Sequence, residues 1–216
     1  TCLVGSEMCI RDSYTAIQAL ADAGRAFTTG PSVNIYNLRT LSLLARLGLR
    51  RWVLPVELGL DTLKDLQAGR PDGVETEVFA LGRLPLAYSA RCYTARSEDM
   101  PKDDCRFKCI DYPDGRVLKT REGEDFLVLN GIQTQSAPTH VALGSYAELE
   151  NLGVDVLRVS PQAENTMDIL GLFDAARRGG DPAELENELL SLLPGAACNG
   201  YLQGNAGMDH GYPDAA

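Results

Sequence analysis

Three cysteines fall in one eighteen-residue stretch, CYTARSEDMPKDDCRFKC from Cys92 to Cys109, with the spacing C-x12-C-x3-C. Cys105 and Cys109 stand on adjacent turns if their segment is helical. Lys102, Arg106 and Lys108 lie around them, and positive neighbours favour the thiolate, the form that binds metal. A loop this long can curl its sulfurs onto one ion or cluster. A four-iron cluster takes four cysteines, so one ligand has to come from elsewhere. Cys198, His140 and a cysteine from a part of the protein preceding this chain are the candidates. Structural Cys3His zinc is chemically acceptable, although its sites use tighter, paired spacings. A Cys92–Cys105 disulfide needs an oxidising compartment. Buried thiols with no chemistry are the plain alternative. The spacing favours a metal or a cluster.

The composition is that of an ordinary globular chain. It has 216 residues, 44% hydrophobic and 23% charged, enough for one sizeable domain. Thirty acids against twenty bases give a formal net charge of −10, which argues against a phosphate-rich partner such as nucleic acid. No apolar run approaches the length of a membrane span. The start, CLVGSEMCIRDS (Cys2 to Ser13), lacks the basic n-region and apolar h-region of a signal peptide. It reads as a translated sequencing adaptor, so residues 1–13 are set aside from fold reasoning and the natural N-terminus is expected to lie upstream. Without Cys2 and Cys9, four cysteines remain, and with no secretory signal they predict a reducing, cytoplasmic setting.

Elements must position the thiols. NLRTLSLLARLG predicts a helix over Asn37–Gly48, with Leu38, Leu41, Leu44 and Ala45 on one face. RRWVLPVEL (Arg50–Leu58) is an apolar strand, LDTLKDLQAG a helix with Asp61 as N-cap and Gly69 as stop, and VETEVFAL (Val74–Leu81) a strand. The rhythm resumes with strand Asp125–Gly131, a helix opened by a Ser145–Glu148 capping box, strand Val154–Ser160, a helix from Asn165, and a helix capped by Asp181 with Pro182 and Glu184 behind it. Alternating strands and helices predict an α/β fold with a parallel sheet. Roughly five strand candidates predict a partial TIM-like (β/α) barrel missing its first units, since a whole one needs about 250 residues. The expected domain is a single one over 14–216. Its polar stretch at about 82–124 is a cysteine-bearing insertion on the C-terminal face of the strands, where barrel enzymes build sites, and Asp114–Gly115 promises a turn and a small hairpin there.

The remaining chemistry-capable residues have modest prospects. Glu57 ends a strand and should face the C-terminal side, as a site carboxylate or a loop hydrogen-bond acceptor. Glu75 and Glu77 share a strand face, as an acid–base pair or simply its wet side. His140 before a helix reads as a capping or surface residue, and His210 in a Gly-rich tail as a flexible one. Ser89, Ser136 and Ser160 sit in no nucleophile motif, and no P-loop or G-x-G-x-x-G is present. Arg91, Arg96 and Lys102 beside the thiols could hold an anion or tune a cluster, or be solvated loop charges.

The segments FALGRLPLAYSARCYTAR, KDDCRFKC, FLVLNGIQTQS, LGVDVLRVSPQ and CNGY, with TGPSVNIYN and RRWVLPVEL, resemble the oxygen-independent ubiquinone-biosynthesis branch of the collagenase-like peptidase family. The resemblance runs from about Phe27 to Asp209. It implies a four-iron, four-sulfur cluster on four cysteines, three of which match Cys92, Cys105 and Cys109; the fourth lies upstream in the family, and no role passes to Cys198. It implies an anaerobic, cytoplasmic subunit of a ring-hydroxylating system, paired with UbiU as a heterodimer, assisted by a UbiT-type lipid carrier and acting on a quinone precursor. A collagenase-like peptidase and a non-catalytic, metal-braced scaffold are the rival expectations.

Overall fold

The computed structural model describes residues 9–11, 13–101 and 104–211. The parallel part of its sheet comprises β1 (Cys9–Arg11), β2 (Phe27–Thr29), β3 (Leu49–Val53) and the first half of β4 (Glu75–Tyr88), in that spatial order. Parallel neighbours need crossovers, and α1 (Tyr14–Asp22), α2 (Leu38–Arg46) and α3 (Leu60–Ala68) supply them. β1 lies inside the segment set aside above; its three residues pair in register with Phe27–Thr29, a backbone match that makes no demand on side chains.

β4 is the hinge of the architecture. Its first half also takes β8 (Val156–Val159) as a parallel neighbour. Its second half leaves the parallel layer and pairs antiparallel with β7 (Gln133–Val141), which carries β6 (Asp125–Asn130) and then β5 (Arg116–Lys119) outward. β9 (Ala197–Cys198) adds to the far edge of β7 in parallel. The result is a mixed α/β fold on an open, mixed nine-stranded sheet, and among the described residues its ends do not meet in a barrel.

Two expectations change here. The strand expected to stop at Leu81 runs fourteen residues, so the region 82–124 begins as strand rather than loop. Pro85, which cannot donate to a ladder, hid this; the register shifts on both sides of it, the bulge position where proline is tolerated. Asp125–Asn130 is not a repeat of the β/α rhythm but the middle strand of a meander, and the hairpin turn lies at Thr120–Glu124, while Asp114–Gly115 leads into β5.

The helices follow their spacing. Leu41 and Leu44 of α2 and Leu63 and Leu66 of α3 are buried against Trp52, Leu54 and Val78 of the sheet. Asn37 caps α2 by accepting from Thr40 N at 2.9 Å, and α7 (Pro182–Leu190) starts with Asp181 accepting from Ala183 N at 2.9 Å. α3 begins one residue before Asp61, after a Gly59 cap at which a Cβ would lie 3.0 Å from Tyr201 O. α5 (Tyr146–Asn151) does without its capping box: the Ser145 hydroxyl accepts from Gln203 Nε2 at 2.9 Å instead. α6 (Thr166–Arg177) starts after Asn165, whose amide donates to Leu192 O at 3.2 Å rather than capping. No helix among the described residues is long and apolar enough to cross a membrane.

Candidate functional site: a cysteine segment beside a strand-end cleft

The described parts of the cysteine segment are folded. Cys92 is the N-cap of α4 (Tyr93–Ser97), and its Sγ accepts from Ala95 N at 3.4 Å. α4 ends in a Schellman arrangement, with Asp99 in the left-handed region (φ 57°) and Met100 N donating back to Ala95 O at 2.9 Å. Cys109 lies in a short 3-10 helix, Lys108–Asp111, that packs against α4. Arg116 welds the two: it donates to Ser97 Oγ at 2.6 Å, pairs with Glu98, and lies over the Tyr112 ring 4.7 Å from its centroid. Tyr112 in turn donates to Glu98 Oε1 at 3.0 Å. Tyr93 N and Thr94 Oγ1 bind the Gly131 backbone at the β6–β7 turn, so the whole unit rests on the meander.

Cys92, Cys105, Cys109 and Cys198 are free thiols, with Cys92 and Cys105 half-buried and Cys109 exposed. The donor set therefore suits soft-metal or iron–sulfur chemistry. Among the described residues, however, no three His, Cys, Asp or Glu side chains converge in a way that could hold a metal ion. Lys102 lies outside the described residues; Arg91 and Arg96 line a groove of about 450 Å³ with Cys92 and Met100. Both internal candidates for a fourth ligand sit in the sheet. Cys198 of β9 is buried, which pushes its thiol up to about 11, and it pairs in register with His140. His140, expected at the surface, is 4% exposed and stacks on Phe79 with ring centroids 6.1 Å apart. Burial pulls its pKa down to about 4, so it is a neutral core histidine.

The other candidates are also placed. Glu57 follows β3, is exposed, and accepts a hydrogen bond from Tyr36, which raises the Tyr36 pKa. Glu75 pairs with Arg51 at 2.7 Å. Glu77 is not on a wet face: it is buried, 2.5 Å from Arg158 Nε and 3.7 Å from Arg51 Nη1, because β3 and β8 bring an arginine to each side of it. Ser136 is buried and donates to Pro138 O at 2.6 Å. His210 is held 3.2 Å from the buried Glu186 rather than loose in the tail.

A cleft of about 730 Å³ opens at the C-terminal ends of the parallel strands. Val53 and Phe79 form part of its floor, Glu57, Arg158 and Tyr201 part of its rim, and Arg83 one wall. Arg83 also lines a smaller polar pocket of about 100 Å³ with Asp114 and Gln162. Its guanidinium donates to Ser136 O at 3.3 Å and to Ala137 O; burial lowers its pKa, against the opposing pull of Asp114 and Asp125. Sequence reasoning reached Glu57 but missed Arg83, Arg158 and Tyr201. An arginine directly after glycine in an otherwise apolar strand is the available signal for Arg83, whereas Tyr201 arrives from a distant loop and leaves no local mark.

The family model described as Peptidase family U32 matches residues 14–210. No solved structure matches the chain.

Proposed function

The chain belongs to peptidase family U32, and on that premise we propose that it is a UbiV-type iron–sulfur subunit of an oxygen-independent hydroxylation system in ubiquinone biosynthesis. The carrying observation is the set of three unpaired thiols, Cys92, Cys105 and Cys109, within eighteen residues of the chain. Thiolate is the ligand that iron–sulfur clusters use, and neither backbone nor disulfide occupies these three sulfurs in full. Cys92, Cys105 and Cys109 would hold a four-iron, four-sulfur cluster, with a fourth ligand from outside the segment. When bound, such a cluster supplies one-electron transfer. The chain's own part is to shape a cleft lined by Val53, Phe79, Arg83 and Arg158 and to brace the cysteine unit through Arg116, Glu98 and Tyr112. UbiU is the proposed heterodimer partner, a UbiT-type carrier presents the hydrophobic quinone precursor, and the setting is the anaerobic cytoplasm. The parallel arc of β1 to β4 with β8 is read as part of a TIM-like barrel wall.

The test is anaerobic purification of the full chain with its partner, followed by iron and sulfide analysis. About four of each per chain are expected, with loss of the brown colour in Cys92→Ala, Cys105→Ala and Cys109→Ala and retention in Cys198→Ala. A colourless, iron-free complex overturns the reading. The family's description favours a second reading, a collagenase-like peptidase. That chemistry needs an activated water or nucleophile, and His140, neutral and stacked in the core, is poorly placed to serve as its base. Gelatin cleavage by the complex, abolished by a Glu57→Gln change at the cleft rim, would favour the peptidase. If iron is bound but its loss alters only the melting temperature, the cluster is a brace in a scaffold.

A further inference from the structure

The large cleft contains hydrogen-bond donors that the fold leaves unused. Most of its polar lining is already engaged. Arg158 is held by Glu77, Glu57 accepts from the Tyr36 hydroxyl, Gln135 donates to Gln133 Oε1 at 2.8 Å, and Gln133 donates to the Tyr88 hydroxyl at 3.1 Å. Ser32, Asn34 and Tyr201 are exposed, so water satisfies them. Two half-buried side chains differ. Arg83 uses only Nη1, on the carbonyls of Ser136 and Ala137. Among the described residues the Nε–Nη2 edge of its fork carries no hydrogen bond, and no carboxylate forms an ion pair with it. Ser160 donates its amide to Leu81 O at 2.8 Å, but its hydroxyl has no partner among those residues. The two are neighbours: a Cβ on Gly82, the residue before Arg83, would lie 2.5 Å from Ser160 Cβ and 3.3 Å from Ser160 Oγ. Both line the cleft and the small polar pocket, so they stand where the two meet. Asp114 of the small pocket accepts from Ala163 N at 2.7 Å instead of pairing with Arg83.

A half-buried guanidinium without a counter-ion attracts an anionic oxygen, because its lost hydration is not otherwise replaced. The free fork edge and the Ser160 hydroxyl together offer three donors, enough to surround one oxygen atom. Val53, Phe79 and Pro85 supply apolar surface in the same cleft, which suits a flat ring. We propose that Arg83 and Ser160 are positioning residues that receive a ring oxygen of an aromatic ligand as its phenolate, with the ring lying on Val53, Phe79 and Pro85. Asp114 and Asp125 offset part of the field at Arg83, which favours the diffuse charge of a phenolate over the concentrated charge of a carboxylate. A cation facing the oxygen stabilises the ionised form, so the phenol releases its proton to water at a lower pH than it does free. Ionisation raises the electron density on the ring carbons, the atoms a hydroxylation modifies. The proposal rests on the reading above in placing the aromatic substrate in this cleft, but it makes no use of the cluster.

The probe is 4-nitrophenol, whose yellow phenolate reports ionisation directly. Titrated with the cluster-free full chain, the phenolate should bind about tenfold more tightly than the neutral phenol, seen as a bound probe that ionises about one pH unit lower than the free one. Arg83→Gln should abolish this preference, and Arg83→Lys, which keeps the cation, should retain most of it. Ser160→Ala should weaken phenolate binding about threefold to tenfold. In the unsubstituted chain, the probe should also slow arginine-specific labelling of Arg83, mapped by peptide mass. That measurement decides the matter if Arg83→Gln, which loses the bonds to Ser136 and Ala137, fails to fold. Equal affinity for phenol and phenolate, or labelling of Arg83 that the probe does not slow, overturns the proposal. Benzoate binding more tightly than the phenolate also overturns it, because the site would then be built for a carboxylate. None of these readouts depends on iron, so a colourless complex overturns the cluster alone, and an iron-loaded chain with no phenolate preference overturns this site alone.

Discussion

At the scale of the residue, burial decides what each titratable group can do. His140 takes up a proton below about 6.5 when exposed but only near 4 in the core. Between those values the unfolded chain binds more protons than the folded one, so stability falls as pH falls through the window. The loss amounts to roughly 3 kcal/mol once the pH is below both values. Urea midpoints measured from pH 7 to 4 should decline, and His140→Phe, which keeps a ring against Phe79, should flatten the decline; an unaltered slope would place the histidine in water. The thiols divide in the same way. With the cluster absent, exposed Cys109 should react with a maleimide in the folded protein, while buried Cys198, held near 11, should react only on unfolding. Mass-resolved labelling with and without urea checks this, and equal native rates would contradict the burial.

At the scale of the element, β4 holds the sheet together, and two of its residues bear that load. Thr76 accepts from Trp52 Nε1 at 2.9 Å and Arg70 Nη1 at 3.0 Å, and donates to Gln67 Oε1 at 2.7 Å. Thr76→Val keeps the shape and strands the buried Trp52 indole N–H, so a loss of about 1–2 kcal/mol is expected in denaturant unfolding. Gly82 stands where β4 passes from β8 to β7, at φ +137°, and a Cβ there would come within 2.5 Å of Ser160 Cβ and 2.8 Å of Phe79 Cζ. Gly82→Ala should cost about 2 kcal/mol or more and loosen the cleft floor. A melting temperature equal to that of the unsubstituted protein would show that the strand bends there without strain.

At the scale of the whole molecule, the net charge of −10 sets the field that partners meet. Duplex and single-stranded nucleic acid should show no gel shift with the full chain at physiological salt, because the counterion-release term requires a basic face. Retention that weakens steeply with added salt would reveal such a face. β5 to β7 form a platform beside the parallel layer, and α4 of the cysteine unit is tied to the β6–β7 turn of that platform.

Helix spacing, the cap at Asp181 and the alternation of strands with helices were legible in the residue order, because each depends on neighbours within a few positions, and so was the closeness of the three cysteines along the chain. The path of β4 past Leu81 was obscured by Gly82 and Pro85, and β7 by its polar start, since a strand in the middle of a meander draws its hydrogen bonds from partners the local sequence does not name. The cleft was legible only at Glu57. Arg83, Arg158 and Tyr201 come together through pairings of β4 with β7 and β8 and through the loop after β9. The burial of His140, Cys198 and Glu77 was likewise settled by tertiary packing, because desolvation depends on what covers a side chain and not on what precedes it.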